Sequence, residues 1–138
     1  MDLQQKGSSP MIRSKIVARY NDSRVVKGYS NNFFPNKLFF HIESIDGDSH
    51  RIDMDDLKAV FFTKDFVGNK EHRDNYSHEV RGAGRKLKVE FNDGEVIIGY
   101  SLAYSADRQG FFLTPADVNG NNERIFVLND SSKSVEFI

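Results

Sequence analysis

The sequence predicts an all-β protein built from two tandem five-stranded barrels that are related by internal duplication. Three observations lead to this prediction: a repeated segment, a two-residue alternation of apolar side chains, and a glycine inside one strand of each copy. Residues 15–30 read KIVARYNDSRVVKGYS, and residues 86–101 read KLKVEFNDGEVIIGYS without any gap. A repeat at a fixed offset is typical of a duplicated structural unit.

The first strand and turn of each copy follow from side-chain pattern and turn chemistry. In the second copy, residues 86–91 alternate between charged and apolar side chains, the period expected for a strand with one buried face. The run ends at Asp93-Gly94, and Asp-Gly between alternating strands is a strong hairpin signal. Asp22-Ser23 takes the same place in the first copy.

A glycine interrupts the second strand of each copy. Gly28 and Gly99 lie in the middle of apolar runs, where a glycine marks a sharp bend or a close approach of two backbones. Strong bends in this strand are how small barrels close. We therefore predict Asp22, Gly28, Asp93, Gly94 and Gly99 as structural turn and bend residues.

The repeat extends over most of the chain when small gaps are allowed. Residues 51–52 match residues 124–125, and residues 58–60 match residues 133–135. The predicted organisation is a flexible N-terminal lead at 1–14, a first small barrel at 15–63, a linker at 64–83 and a second small barrel at 84–138.

Composition limits the classes of function. The 138 residues carry a net charge of −1, which provides no basic field for a phosphate backbone, so nucleic acid is not an expected partner. The chain contains no cysteine, which excludes disulfides and fits a reducing compartment. No run approaches the roughly 18 apolar residues of a membrane span, and the N-terminus lacks the apolar segment of a signal peptide. We expect a cytoplasmic protein without membrane contact.

Two resemblances follow from these motifs. The segment FNDGEVIIGY at residues 91–100 resembles the Sm-like branch of the small SH3-type barrels, and residues 20–29 are its weaker twin. The whole chain resembles an uncharacterised family of bacterial proteins that carry such a tandem, through DLKAVFFTKDFVGN at 56–69 and NNERIF at 121–126. The first resemblance implies the barrel fold, and the second implies a bacterial protein without an assigned activity.

Sm-like RNA binding remains a second alternative function under that resemblance. The RNA sites of Sm proteins need an Arg-Gly or Lys-Gly pair before the fifth strand, whereas DDLK at 55–58 and DSSK at 130–133 occupy that position. Acidic residues that face a phosphate repel it. RNA binding by that route is therefore not the favoured function.

Four Phe-Phe pairs are the most unusual feature of the composition. Neighbouring residues in a strand point to opposite faces, so a barrel interior takes one ring of each pair. The other rings either bury against the sister barrel or form an exposed patch that binds a partner protein. The candidate residues for this partner or inter-barrel surface are Phe33, Phe34, Phe39, Phe40, Phe61, Phe62, Phe111 and Phe112.

A pair of arginines suggests the other alternative function. Arg81 and Arg85 form an RxxxR spacing that is similar to half of the PilZ signature, which recognises cyclic di-GMP. Guanidinium groups fork onto phosphates and stack on guanine. The Asp/Asn-x-Ser-x-x-Gly half of that signature has no match. A cyclic di-GMP sensor that uses Arg81 and Arg85 is the alternative to a protein-binding role.

No catalytic or metal-binding motif is recognisable. The sequence has no Gly-x-Ser-x-Gly, no phosphate-binding glycine loop and no cysteine nucleophile. Its four histidines have no compact metal-ligand spacing. We therefore predict no enzyme activity, no cofactor and no metal site, but a non-catalytic binding or adaptor module whose partner is another protein.

Overall fold

The computed structural model describes residues 13–66, 82–117 and 119–138, and within these ranges the protein is all-β. Most of the predicted lead and of the predicted linker lies outside these ranges. The strands are β1 (Ser14–Tyr20), β2 (Val25–Ser30), β3 (Phe39–Ser44), β4 (Ser49–Asp53), β5 (Leu57–Thr63), β6 (Arg85–Phe91), β7 (Val96–Ser101), β8 (Gly110–Pro115), β9 (Asn122–Leu128) and β10 (Ser132–Phe137). Short 3-10 turns, Met54–Asp56 and Asn129–Ser131, precede β5 and β10.

All ten strands belong to one open antiparallel sheet with the order β10-β6-β7-β8-β9-β5-β1-β2-β3-β4. The first half of the chain, β1 to β5, has the order β5-β1-β2-β3-β4, and the second half, β6 to β10, repeats it as β10-β6-β7-β8-β9. The halves join where β9 pairs with β5, a junction that we call the seam. The predicted all-β class is confirmed. Because the sheet is open, its hydrogen bonding does not confirm two tandem five-stranded barrels.

The strand ladders give the correspondence between the two halves. Asp53 lies opposite Phe39 in the first half, and Leu128 lies opposite Gly110 in the second half. Since Phe39 and Gly110 take equivalent places in the repeat, Asp53 and Leu128 also correspond. The match predicted for the fourth strands, at residues 51–52, is therefore wrong by two residues. The second half has extra residues between its third and fourth strands, and the predicted gap was too short.

The buried side chains form two cores, one in each half. The first core contains Ile16, Ala18, Tyr20, Phe40, Ile42, Ile52, Met54, Leu57, Val60, Phe62, Phe126 and Leu128. The second core contains Val17, Ala59, Phe61, Leu87, Val89, Phe91, Phe111, Leu113, Ile125 and Val127. Residues from β1, β3, β4 and β5 meet in the first core although these strands are not all neighbours in the sheet. The sheet must therefore curve so that its strands face one another.

The seam is where the halves exchange side chains. Every residue of β5 is buried, and successive residues point to opposite faces. Phe62 enters the first core, whereas Phe61 enters the second. On β9, Phe126 enters the first core and Ile125 the second. Each half thus completes the core of the other, so neither is a self-contained unit.

Two mid-strand glycines allow close contact between neighbouring strands. A Cβ atom at Gly28 would lie 2.1 Å from the carbonyl oxygen of Glu43 on β3. A Cβ atom at Gly99 would lie 2.4 Å from the carbonyl oxygen of Thr114 on β8. Any side chain at either position would push the second and third strands of that half apart.

The turns between the first and second strands use the same side-chain contact in both halves. A carboxylate oxygen of Asp22 accepts a hydrogen bond of 3.0 Å from the backbone N–H of Arg24. A carboxylate oxygen of Asp93 accepts one of 3.0 Å from the backbone N–H of Glu95. Gly94 has a φ of 92°, a left-handed conformation that glycine adopts without steric cost.

Candidate functional site

The eight phenylalanines of the Phe-Phe pairs have three different environments. Phe40, Phe61, Phe62 and Phe111 are buried, Phe33 and Phe112 pack partly buried against the first core, and Phe34 and Phe39 are exposed. The predicted burial of rings holds for Phe40, Phe61, Phe62 and Phe111, whereas partner binding by the exposed rings stays a prediction. Most of the rings fill the cores and the seam, and two are available at the surface.

Phe33 anchors the β2–β3 loop on the seam. Its ring makes edge-to-face contacts with four other phenylalanine rings. The centroid distances are 5.0 Å to Phe40, 5.3 Å to Phe62, 5.3 Å to Phe126 and 6.0 Å to Phe112. Such pairs each contribute about 0.5–1.5 kcal/mol beyond burial of area. The β2–β3 loop is consequently fixed against side chains from both halves.

An apolar groove of about 580 Å³ lies between this loop and the β7–β8 loop of the second half. Phe111 and Phe112 of β8 contribute to its lining, with Leu38 from the first loop and Leu102 from the second. Ligand pockets have volumes of roughly 300–1,000 Å³ and predominantly apolar linings. The groove therefore has the size and lining of a binding site.

Hydrogen bonds fix both walls of the groove. The side-chain amide of Gln109 donates to the carbonyl oxygens of Pro35 and Lys37, each at 2.7 Å, and so ties the β7–β8 loop to the β2–β3 loop. The side-chain amide of Asn129 donates to two carbonyl oxygens of the β7–β8 loop at 2.9 and 2.8 Å. The groove is preformed, so a ligand does not have to order these loops.

Exposed apolar residues and cations surround the groove. The exposed fraction is 72% for Leu38 and 78% for Leu102. Lys37 and Arg108 are also exposed, and Arg108 is part of the groove lining. Among the residues that the structure describes, no carboxylate forms an ion pair with the guanidinium of Arg108.

A buried lysine on the seam strand β5 lies outside the sites that the sequence predicts. Lys58 of β5 is only 7% exposed, and its ammonium lies 2.7 Å from a carboxylate oxygen of Asp93 and contacts the carboxylate of Glu95. Burial lowers the pKa of Lys58, but hydrogen bonds to both carboxylates outweigh it and leave the pKa raised. The hydrogen bond from Lys58 is also the main cause of the lowered pKa of Asp93. This ion-pair cluster links the last strand of the first half to the first turn of the second. The sequence signal for Lys58 is that it is the single charged residue in the apolar run LKAVFF.

The structure describes only one residue of the predicted nucleotide site. Arg81 lies outside the described residues. The guanidinium carbon of Arg85 lies 3.7 Å from the ring centroid of Phe137 on the neighbouring strand β10. Arg85 therefore stacks on a ring of its own chain.

The described ranges contain neither a cluster of metal ligands nor a membrane-spanning helix. Those residues contain no group of three or more His, Cys, Asp or Glu side chains that could hold a metal ion. His72 and His78 of the predicted linker lie outside these ranges. No helix in the described part of the chain has the length and apolar character needed to cross a bilayer.

Comparison with known protein families identifies a match over most of the chain. Residues 12–138 match the model of DUF6982, which is described as a family of unknown function. The chain belongs to the DUF6982 family. No curated protein and no solved structure matches it significantly. The resemblance to an uncharacterised family is thereby confirmed.

Proposed function

We propose that this DUF6982 protein is a non-catalytic binding module whose partner is another protein. The preformed apolar groove between the β2–β3 and β7–β8 loops supports this proposal. Exposed apolar patches beside a concave surface mark interaction sites, and Leu38 and Leu102 present such surface on the two sides of the groove.

The groove favours a partner segment that presents apolar side chains next to a carboxylate. Its floor contains Phe111 and Phe112, which suit aliphatic or aromatic side chains. Arg108 in the groove lining and Lys37 in the β2–β3 loop are exposed cations, and charge complementarity at the rim selects partners and speeds association. We therefore expect short apolar-acidic segments to bind.

Selection from a random peptide display library tests this proposal. We expect enriched peptides to combine apolar residues with Asp or Glu, and we expect binding to be lost in the Leu38→Asp/Leu102→Asp variant. Val25→Asp is the matched control, because Val25 is 47% exposed and does not line the groove. Enriched peptides that bind the groove variant and the control equally well would contradict the proposal.

We further propose that each half is a Sm-like or SH3-like unit, that the two arose by duplication, and that the protein acts in a bacterial cytoplasm. The identical strand order of the two halves supports the first two points. The 3-10 turn before the fifth strand of each half also supports them. The net charge of −1 and the lack of cysteine fit the third point.

A further inference from the structure

Among the residues that the structure describes, the two edge strands of the sheet are equivalent to the two strands that pair at the seam. At the seam, the fourth strand of the second half, β9, pairs with the fifth strand of the first half, β5. The sheet ends at β4, the fourth strand of the first half, and at β10, the fifth strand of the second half. We propose that β4 of one chain pairs antiparallel with β10 of a second copy, in the geometry of the seam. This inference does not depend on the proposed groove function.

The strand ladders define the register of this pairing. His50 lies opposite Ile42 on β3 just as Ile125 lies opposite Leu113 on β8, so His50 takes the place of Ile125. The fifth strands are compared in the same way. Glu136 lies opposite Lys88, and Phe61 lies opposite Val17. Since Lys88 and Val17 are equivalent in the repeat, Glu136 takes the place of Phe61. Ile125 and Phe61 are directly opposite at the seam. The predicted contacts are His50 with Glu136, Ser49 with Phe137, Arg51 with Val135 and Ile52 with Ser134.

The surface at the two edges favours this partner. Phe137 and Ile138 are 48% and 58% exposed at the β10 edge, and Phe39 is 39% exposed beside β4. The predicted contacts also place no like charges opposite each other, which would disfavour strand pairing, and both His50 and Glu136 are exposed. A sheet edge presents backbone groups that another strand can pair with, and such strand addition derives its affinity from main-chain hydrogen bonds.

The edge contact differs from the seam in permanence. At the seam, Phe61 and Phe126 cross into the opposite core, whereas the equivalent edge residues are Glu136 and Arg51. Charged side chains remain compatible with solvent when the edge is unpaired, so the contact is reversible. Because β4 and β10 are different surfaces, the contact is heterologous, and its repetition gives a ring or an open chain of copies.

Engineered cysteines test the register directly, because the chain has no cysteine of its own. We expect His50→Cys protein mixed with Glu136→Cys protein to form an intermolecular disulfide under mild oxidation, detected by non-reducing electrophoresis and mass spectrometry. A disulfide requires Cβ atoms about 3.5–4.5 Å apart, and the Cβ atoms of directly opposed strand residues lie about 4.5–5.5 Å apart, and closer in non-hydrogen-bonded pairs, so a small shift of the strands allows the bond to form. Glu123→Cys, an exposed strand position away from both edges, replaces Glu136→Cys in the control mixture. A yield equal to the control, or equal cross-linking of either variant alone, would overturn the proposal.

Light scattering over a range of concentrations tests the association without cross-linking. We expect wild type to gain mass with concentration. His50→Glu places two carboxylates opposite each other, which disfavours strand pairing, and should raise the dissociation constant by about tenfold, or about 1.4 kcal/mol. The double variant His50→Glu/Glu136→Lys should restore association, and circular dichroism verifies that each variant is folded. Wild type that stays monomeric at its solubility limit, or a double variant no better than His50→Glu, would overturn the proposal.

Discussion

The seam and the free edges occupy equivalent places in the repeat, but their side chains differ in kind. At the seam, Ala59 and Phe61 of β5 are buried in the core of the second half. Ser134 and Glu136 take these places on β10, where Glu136 is exposed. Because the two halves have the same strand order, strand order does not distinguish the seam from the edges. The apolar side chains make the seam a permanent part of the fold, and polar ones keep the edges open to solvent.

Removing an exchanged ring should have the largest effect. We expect Phe61→Ser to lower the free energy of unfolding by about 3–5 kcal/mol, as for other large-to-small changes in a core. Phe39→Ser is the control, because Phe39 is 39% exposed and surface substitutions usually change stability by less than about 0.5 kcal/mol. Urea unfolding measures both. Equal losses for the two variants would remove the distinction between the seam and the surface.

Giving a free edge the residue of the seam should strengthen self-association. We expect Glu136→Phe to lower the dissociation constant measured by light scattering, because an apolar ring replaces a charged side chain at the contact. Glu123→Phe controls for the added hydrophobic surface, since Glu123 is likewise exposed. If both variants associate to the same extent, the edge has no special role.

The ion-pair cluster of Lys58 should make the stability of the seam depend on pH. The pKa of Asp93 is lowered in the fold, so its stabilisation is present at neutral pH and is lost as the pH falls below the ordinary value of about 3.9. The pKa of Lys58 is raised, so its contribution is present at neutral pH and is lost above the ordinary value of about 10.4.

We expect Lys58→Met to cost about 1–3 kcal/mol at neutral pH, the usual cost of losing hydrogen bonds to charged groups. The variant should also show a smaller loss of stability on acidification than wild type. Urea unfolding at several pH values measures both effects. Lys133→Met is the control, because Lys133 takes the place of Lys58 on β10 but is exposed. Parallel pH profiles of wild type and Lys58→Met would exclude the cluster as the origin of the acid sensitivity.

The smallest expected effect concerns the nucleotide alternative. Because Arg85 already stacks on Phe137, we expect no heat in a calorimetric titration with cyclic di-GMP. The Arg81→Ala/Arg85→Ala variant should give the same result as wild type. Micromolar binding by wild type that this variant loses would instead establish the protein as a second-messenger sensor.

Local features of the fold could be predicted from the sequence, and long-range ones could not. The turn at Asp93-Gly94 and the bend glycines Gly28 and Gly99 follow from conformational demands that act over a few residues. The pairing of β5 with β9 joins strands far apart in sequence, and no local pattern specifies it. The extra residues before β9 also concealed the register of the fourth strands.

The candidate site was still less accessible to prediction. The groove has walls from two loops, one in each half, and neither loop carries a recognisable motif. The Phe-Phe pairs indicated that some rings must lie outside a single core. Phe61 is buried because β5 pairs with β9 at the seam, whereas Phe39 lies next to the edge strand β4 and is exposed.

Thermal unfolding of the wild-type protein in a scanning calorimeter tests most directly whether pairing at the seam makes the two halves unfold as one cooperative unit. Because each core contains residues from both halves, we expect one transition whose calorimetric enthalpy equals its van't Hoff enthalpy. Two separated transitions, each with the enthalpy of about half the chain, would show that the halves fold independently and would contradict the account.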